Sequence, residues 1–124
     1  MGYCSVHRSR ANAPVYIDCQ MDFDSLIKNA FSREFIRMGF PVAETRNAAD
    51  VVCRITVDEG MQQRELGIFY HPSLQAVVSD NGGTIAAFNA EGERSSAVTP
   101  GMAKRRACQS LADKVNESFT LVNR

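Results

Sequence analysis

The sequence has no tryptophan, only two histidines among its 124 residues, and no surplus of either charge, since 14 Lys and Arg balance 14 Asp and Glu. Balanced charge removes the overall field that gathers nucleic acid or acidic substrates, so a generic nucleic-acid binder is disfavoured. No uncharged stretch approaches the ~20 apolar residues that a membrane span needs, and Met1-Gly2-Tyr3 opens no hydrophobic signal core. No transmembrane segment is therefore expected. The chain also lacks internal repeats, low-complexity linkers and a phosphate-cradling loop, because Gly82-Gly83 has neither a following helix nor a Lys-Ser/Thr pair.

What is present is ordinary for one globular domain: 44% hydrophobic and 23% charged residues, in a chain of single-domain size. Residues 1–13 read as a flexible polar tail and 14–124 as one domain. Four cysteines, Cys4, Cys19, Cys53 and Cys108, are spaced widely and irregularly. That suits disulfides or buried thiols better than zinc, whose sites show close Cys or Cys/His pairs twice over. Cys4 and His7 make one such pair in the tail, without a second half. No metal or cofactor is expected.

Pro14 to Cys19 is rich in β-branched and aromatic residues and reads as a strand. Asp22 or Asp24 can cap a following helix whose apolar residues Phe23, Leu26, Ile27, Ala30, Phe31, Phe35 and Met38 recur at three- and four-residue steps. Gly39 supplies a C-cap and Pro41 prevents resumption. Val42 to Thr45 reads as a short extended piece. From Val51 to Asp58, Val51, Cys53, Ile55 and Val57 alternate with polar positions, the period of a half-buried strand. Leu74 to Ser79 repeats that alternation and Ile85 to Ala90 is a further strand, joined by the turn-forming Asp80-Asn81-Gly82-Gly83. Arg64 to Tyr70 reads as an early start of the hairpin strand, with His71-Pro72 a bulge or kink.

Thr99 and Pro100 open the last helix, whose stripe is Cys108, Leu111, Ala112, Val115, Phe119 and Val122. Neither helix can bury its stripe alone. The expected fold is α+β, a two-layer sandwich in β-α-β-β-β-α order, with a mainly antiparallel sheet and both helices on one face.

Catalytic patterns fail on inspection. Ser25-x-x-Lys28 and Ser79-Asp80-Asn81 match two motifs of penicillin-recognising enzymes, but their Lys-Thr-Gly is absent, and helix capping and turn chemistry account for both matches. His7 lies in the tail, and His71 precedes a proline with nothing to orient it. The carboxylate pairs Asp22/Asp24 and Asp58/Glu59 read as a helix cap and a strand end.

Two surfaces remain as binding candidates. Lys104, Arg105 and Arg106 stand in the first turns of the last helix, where the macrodipole disfavours bases. They either snorkel and meet Glu91 and Glu93, or contact an anion such as a lipid headgroup or an acidic partner. The other candidate is the solvent face of the sheet, around Arg54, Thr56, Gln75 and Val77. It is joined by Ile68, Phe69 and Tyr70, which form either a docking patch or a buried strand.

The segment "RMGFPVAE", followed by "AADVVCRITV", a hairpin and a closing helix, resembles small bacterial envelope lipoprotein domains. These are the lipopolysaccharide-assembly lipoprotein family and the related amino-terminal domains of TolB and the curli-secretion lipoprotein. The resemblance implies a non-enzymatic periplasmic module, associated with the outer membrane, that binds an envelope protein or anionic lipid headgroup, its export signal having been removed upstream of Tyr3. Cys53 and Cys108 both face the layer interface, where a bridge between them or two packed thiols fit equally. Two other readings remain. One is a cytoplasmic, dimerising α+β interaction domain, for which "LQAVVSDNGGTIAAF" is similar to the roadblock family's hairpin and which implies free thiols and a homo-oligomer. The other is a small hydrolase with a nucleophile beside His71.

Overall fold

A computed structural model describes residues 13–23, 25–65, 67–96 and 99–119. Its elements are β1 (Val15–Cys19), α1 (Leu26–Arg37), a 3-10 turn (Arg46–Ala48), β2 (Val51–Asp58), β3 (Met61–Arg64), β4 (Gly67–Tyr70), β5 (Ser73–Asp80), β6 (Gly83–Glu91), β7 (Ser95–Ser96) and α2 (Pro100–Ser118). The expected tail through Asn12, with Cys4 and His7, lies outside the described residues.

The main sheet runs β1-β2-β5-β6. Its β2, β5 and β6 are antiparallel, while β1 lies parallel to β2 with Ile17 opposite Cys53. A parallel neighbour needs a crossover, and α1 supplies it. Strand alternation then decides the layers. Val15, Ile17, Val51, Cys53, Ile55, Leu74, Ala76 and Val78 join Ile27, Phe31 and Phe35 of α1 and Leu111, Ala112 and Val115 of α2 in one core. Both helices thus lie on one face of the sheet, in a two-layer α+β sandwich.

Local chemistry sets the helix limits. The Asp22 carboxylate accepts from the backbone N–H of Ile27 and of Lys28, both at 2.9 Å. It therefore provides the acidic cap, while Asp24 lies outside the described residues. At the far end Gly39 takes φ 94°. The Phe40 and Gly39 N–H groups return to the Phe35 and Ile36 carbonyls at 2.8 and 3.0 Å, the Schellman pattern. Its customary apolar contact is the Phe35–Phe40 ring pair, 6.0 Å apart. In α2, Thr99 Oγ1 accepts from Met102 N–H at 3.3 Å. Val122, expected on its stripe, lies outside the described residues.

Residues 61–70 depart from the sequence reading. They form a second sheet, β3-β4-β7, in which Met61 pairs with Tyr70 and Arg64 with Gly67. The Pro72 ring denies the ladder a donor, so β4 does not run into β5. Gly60, at φ 58°, turns the chain, with its N–H held by Asp58 Oδ1 at 2.9 Å and its carbonyl accepting from His71 N–H at 3.2 Å.

One buried carboxylate ties the helices. Glu34, 4% exposed, accepts from Arg37 Nε at 2.8 Å and from Asn116 Nδ2 at 2.9 Å, and Asn116 Nδ2 also reaches the Ala30 carbonyl at 3.2 Å. Removing one partner of a buried acceptor costs about 1–3 kcal/mol. Asn116→Ala is expected to lower the free energy of unfolding by that amount, read from the fall in the urea midpoint, and an unchanged midpoint would reject the tie.

Cys19, Cys53 and Cys108 are free thiols. Burial pushes the Cys53 thiol up to about 12. Cys19 also rises to about 12, first through burial and then through the Asp22 carboxylate. Cys108 is raised by burial, partly offset by the Phe23 backbone N–H. In the unfolded chain a thiol ionises near 9.0, so above that pH the unfolded state holds fewer protons than the native one and stability falls as pH rises. The thermal midpoint is expected to be lost progressively between pH 9 and about 12. A Cys53→Ala variant should lose less over that window than the parent, and parallel curves for the two would reject the assignment.

Candidate binding surface

The N-terminal half of α2 is the platform on which the second sheet sits. Tyr70, 5% exposed, packs with Ala103 and Ala107, joined by half-buried Ile68. Of the two readings of residues 68–70, the structure shows a strand with Tyr70 turned inward. Ser95 Oγ donates to the Ala103 carbonyl at 3.0 Å, which holds β7 to the helix.

Two of the basic trio lie along this junction. Lys104 Nζ meets Glu59 Oε1 at 3.0 Å, and that contact raises the lysine's pKa. Its acidic partner is thus Glu59, brought over by the Asp58–Gly60 turn, and not Glu91 or Glu93. Arg106 Nη1 donates to the Ser96 carbonyl at 3.0 Å, in a residue that pairs with Phe69. Lys104 and Arg106 therefore flank the junction of the helix with β4 and β7, while Arg105 is exposed on the side of the helix away from Ala103 and Ala107. Arg54 stands apart, on the sheet face that looks away from both helices, 3.9 Å from Asp18 Oδ2. That face also carries a shallow hollow of about 190 Å³ lined in part by Arg46, Asp50, Arg54 and Asp80.

Beside the junction is a cleft of about 140 Å³ lined by Gly60, Gln62, Phe69, Tyr70, His71 and Arg94. Small-molecule pockets span about 300–1,000 Å³, so this cleft admits a side chain or a small group and not a metabolite. His71 is indeed in a cleft. None of these lining residues is Ser, Thr or Cys, and the one hydroxyl among them is the phenol of Tyr70. Among the described residues, no three His, Cys, Asp or Glu side chains cluster to hold a metal ion. No described helix is long and apolar enough to cross a membrane.

Sequence reasoning missed Gln62 and Arg94. Gln62 belongs to a strand that shows no apolar alternation, and Arg94 follows Gly92, whose packing is a tertiary matter. An added Cβ at Gly92 would lie 2.8 Å from Pro72 Cγ and against Ser110 Oγ. Ser110 Oγ in turn accepts from Glu93 N–H at 3.1 Å.

The molecule is thus a two-layer α+β sandwich with a small second sheet docked on its closing helix and a basic rim along that contact. No known sequence family matches the chain, and no curated protein matches it by sequence. Solved structures share its fold. A Xanthomonas campestris protein of the family DUF330 aligns with TM-score 0.54 at 12% identity, over 86% of this chain and 81% of its own. The Neisseria meningitidis lipoprotein GNA1162 aligns with TM-score 0.50 at 16% identity, over 86% and 99%. A minor lipoprotein of Acinetobacter baumannii aligns with TM-score 0.50 at 13% identity, over 85% and 88%. At these identities the likeness is one of fold.

Proposed function

We propose that this protein is a non-enzymatic binding or assembly module of the bacterial cell envelope, held in the periplasm at the outer membrane, where it contacts a partner protein or an anionic lipid headgroup. The observation that carries this reading is the fold, which it shares over most of its length with bacterial lipoproteins. The junction of the second sheet and α2 supports it further: a small cleft lined by Phe69, Tyr70, His71 and Arg94, beside a helix that presents exposed Arg105 and Arg106, suits recognition of a surface. The test of location is fractionation of the full-length gene product in its own host, with labelled fatty acid. Lipid label and recovery with envelope membranes are expected. Recovery in the cytosol without label would overturn the reading in favour of the cytoplasmic interaction domain.

The contact surface is tested separately. Each surface cation contributes about 1 kcal/mol to an anionic membrane contact. A Lys104→Gln, Arg105→Gln, Arg106→Gln triple variant is therefore expected to weaken retention on anionic vesicles, or on a captured partner, by about tenfold or more. Most of the loss should come from the two arginines, because Lys104 already faces Glu59. Equal retention of variant and parent on both would remove the basic rim from the proposal.

A further inference from the structure

The two edges of the main sheet are not alike. At β1 the chain covers its own edge: Val15 N–H donates to the Pro41 carbonyl and Ala43 N–H to the Val15 carbonyl, both at 2.8 Å, and Val42 bridges to Val15. At the opposite edge, among the described residues, β6 has no strand beyond it. Among the described residues its outer side carries no backbone bond to another element, the Gly92 contact with Pro72 lying past its end.

Natural edge strands are protected by lysine, proline, short length or bulges. β6 is nine residues long and carries no proline, and its one charged residue is the terminal Glu91. A bulge interrupts its pairing opposite Val78 and Ser79, which leaves Ala86 to Glu91 regular. Along that stretch Ala86, Phe88 and Ala90 face the core side, opposite Val78, Ala76 and Leu74. All three are only half-buried, because the sheet stops there. The Phe88 ring is held 5.2 Å from Phe119 and 6.3 Å from Phe31, so the strand is presented rigidly.

We propose that β6 is an interaction surface through which two copies of this chain pair edge to edge, antiparallel, joining their sheets into one of eight strands. A second copy is the fitting occupant because it brings the same uncovered edge, so that a single two-fold contact covers both and closes. Directly opposed residues in an antiparallel pair share a face, so the two-fold sets the residue at its centre against itself; near the middle of the strand that is Ala87 against Ala87 or Phe88 against Phe88. In the first register Ala86 lies against Phe88, small against large. In the second the two rings meet. Neither opposes like charges. This inference stands on the strand alone and does not depend on location in the envelope.

Ala87 is exposed on the outer face, so charged substitutions there leave the core untouched. Sedimentation equilibrium of the full chain, from micromolar to millimolar concentration, is expected to show a dimer of the 13.7 kDa chain. The charges introduced at position 87 are directly opposed in the first register and diagonal neighbours in the second, so Ala87→Lys and Ala87→Glu are each expected to weaken it by about tenfold or more through like-charge repulsion. Mixing the two variants should restore pairing, with circular dichroism unchanged throughout. A monomeric parent would overturn the proposal. So would a dimer indifferent to both substitutions, or folded variants that fail to pair when mixed. A parent that stays monomeric yet takes up a β-strand from another protein would also overturn it, assigning the edge to that partner.

Discussion

Phe119→Ala is expected to cost about 3–5 kcal/mol, the range for truncating a buried phenylalanine. Phe119 is 2% exposed, and its ring lies 4.8 Å from Phe31, 5.3 Å from Phe35 and 5.2 Å from Phe88, each edge-on. Those rings belong to α1 and β6, so one side chain at the end of α2 joins both helices to the sheet. Such edge-to-face pairs add about 0.5–1.5 kcal/mol each beyond the area they bury. The position has little means of collapsing into the gap, because Phe31 and Phe35 are held from the opposite side by α1. Denaturant unfolding should show a midpoint lowered in proportion with an unchanged slope. A loss under about 1 kcal/mol would mean that the cluster does not hold the layers together, since that is the scale of an ordinary surface substitution or less. Phe119→Leu, which refills most of the volume, should recover a large part of the loss.

Gly60→Ala has a different expected signature. An added Cβ would lie against the His71 carbonyl oxygen and 2.8 Å from its carbon, at φ 58°. Both neighbours are backbone, so neither can rotate away. The chain must shift, and the contact between His71 N–H and the Gly60 carbonyl is lost with it. Strained backbone of this kind costs about 1–3 kcal/mol before the displacement is counted. Because the strain falls at the joint between the two sheets, the damage should be concentrated in β3 and β4. Amide exchange is expected to accelerate from Met61 to Tyr70 while β2 and β5 stay protected, and Lys104 should lose its ordered contact with Glu59. Uniform exchange across both sheets, or none, would show that the turn is not the joint.

The helices and the long strands were legible in the sequence, and the joint at Gly60 was not. Gly39, Pro41 and the apolar spacing of α1 were legible because a helix and its ends are governed by neighbours within a few positions. The alternation in β2 and β5 was legible for the same reason: burial on one face imposes a period of two. Cys53 and Cys108 could be placed in the core from those periods alone. For residues 61–70 the period is missing, and whether β4 continues β5 or folds back on β3 depends on Gly60 meeting His71, eleven positions away. The parallel partner of β1 was likewise hidden, since strand order follows from a crossover and not from either strand's own residues.

Of the candidate site, the sequence exposed the basic trio as an oddity at a helix start, and it singled out Phe69 and Tyr70 as apolar residues out of pattern. The meeting of Lys104 and Arg106 with Phe69 and Tyr70 at one junction was decided in three dimensions, as was the removal of Arg54 to the far face. Glu59 could not be told from Glu91 or Glu93 as the partner of Lys104, because an ion pair is chosen by distance across the fold and all three are equally acidic. By itself the sequence determined the class of fold, the two amphipathic helices, the hairpin and the interior, all consequences of local propensity and burial period. Only the tertiary structure decided the second sheet, the cleft beside it and the open edge of β6, because each arises where chain segments distant in sequence meet or fail to meet.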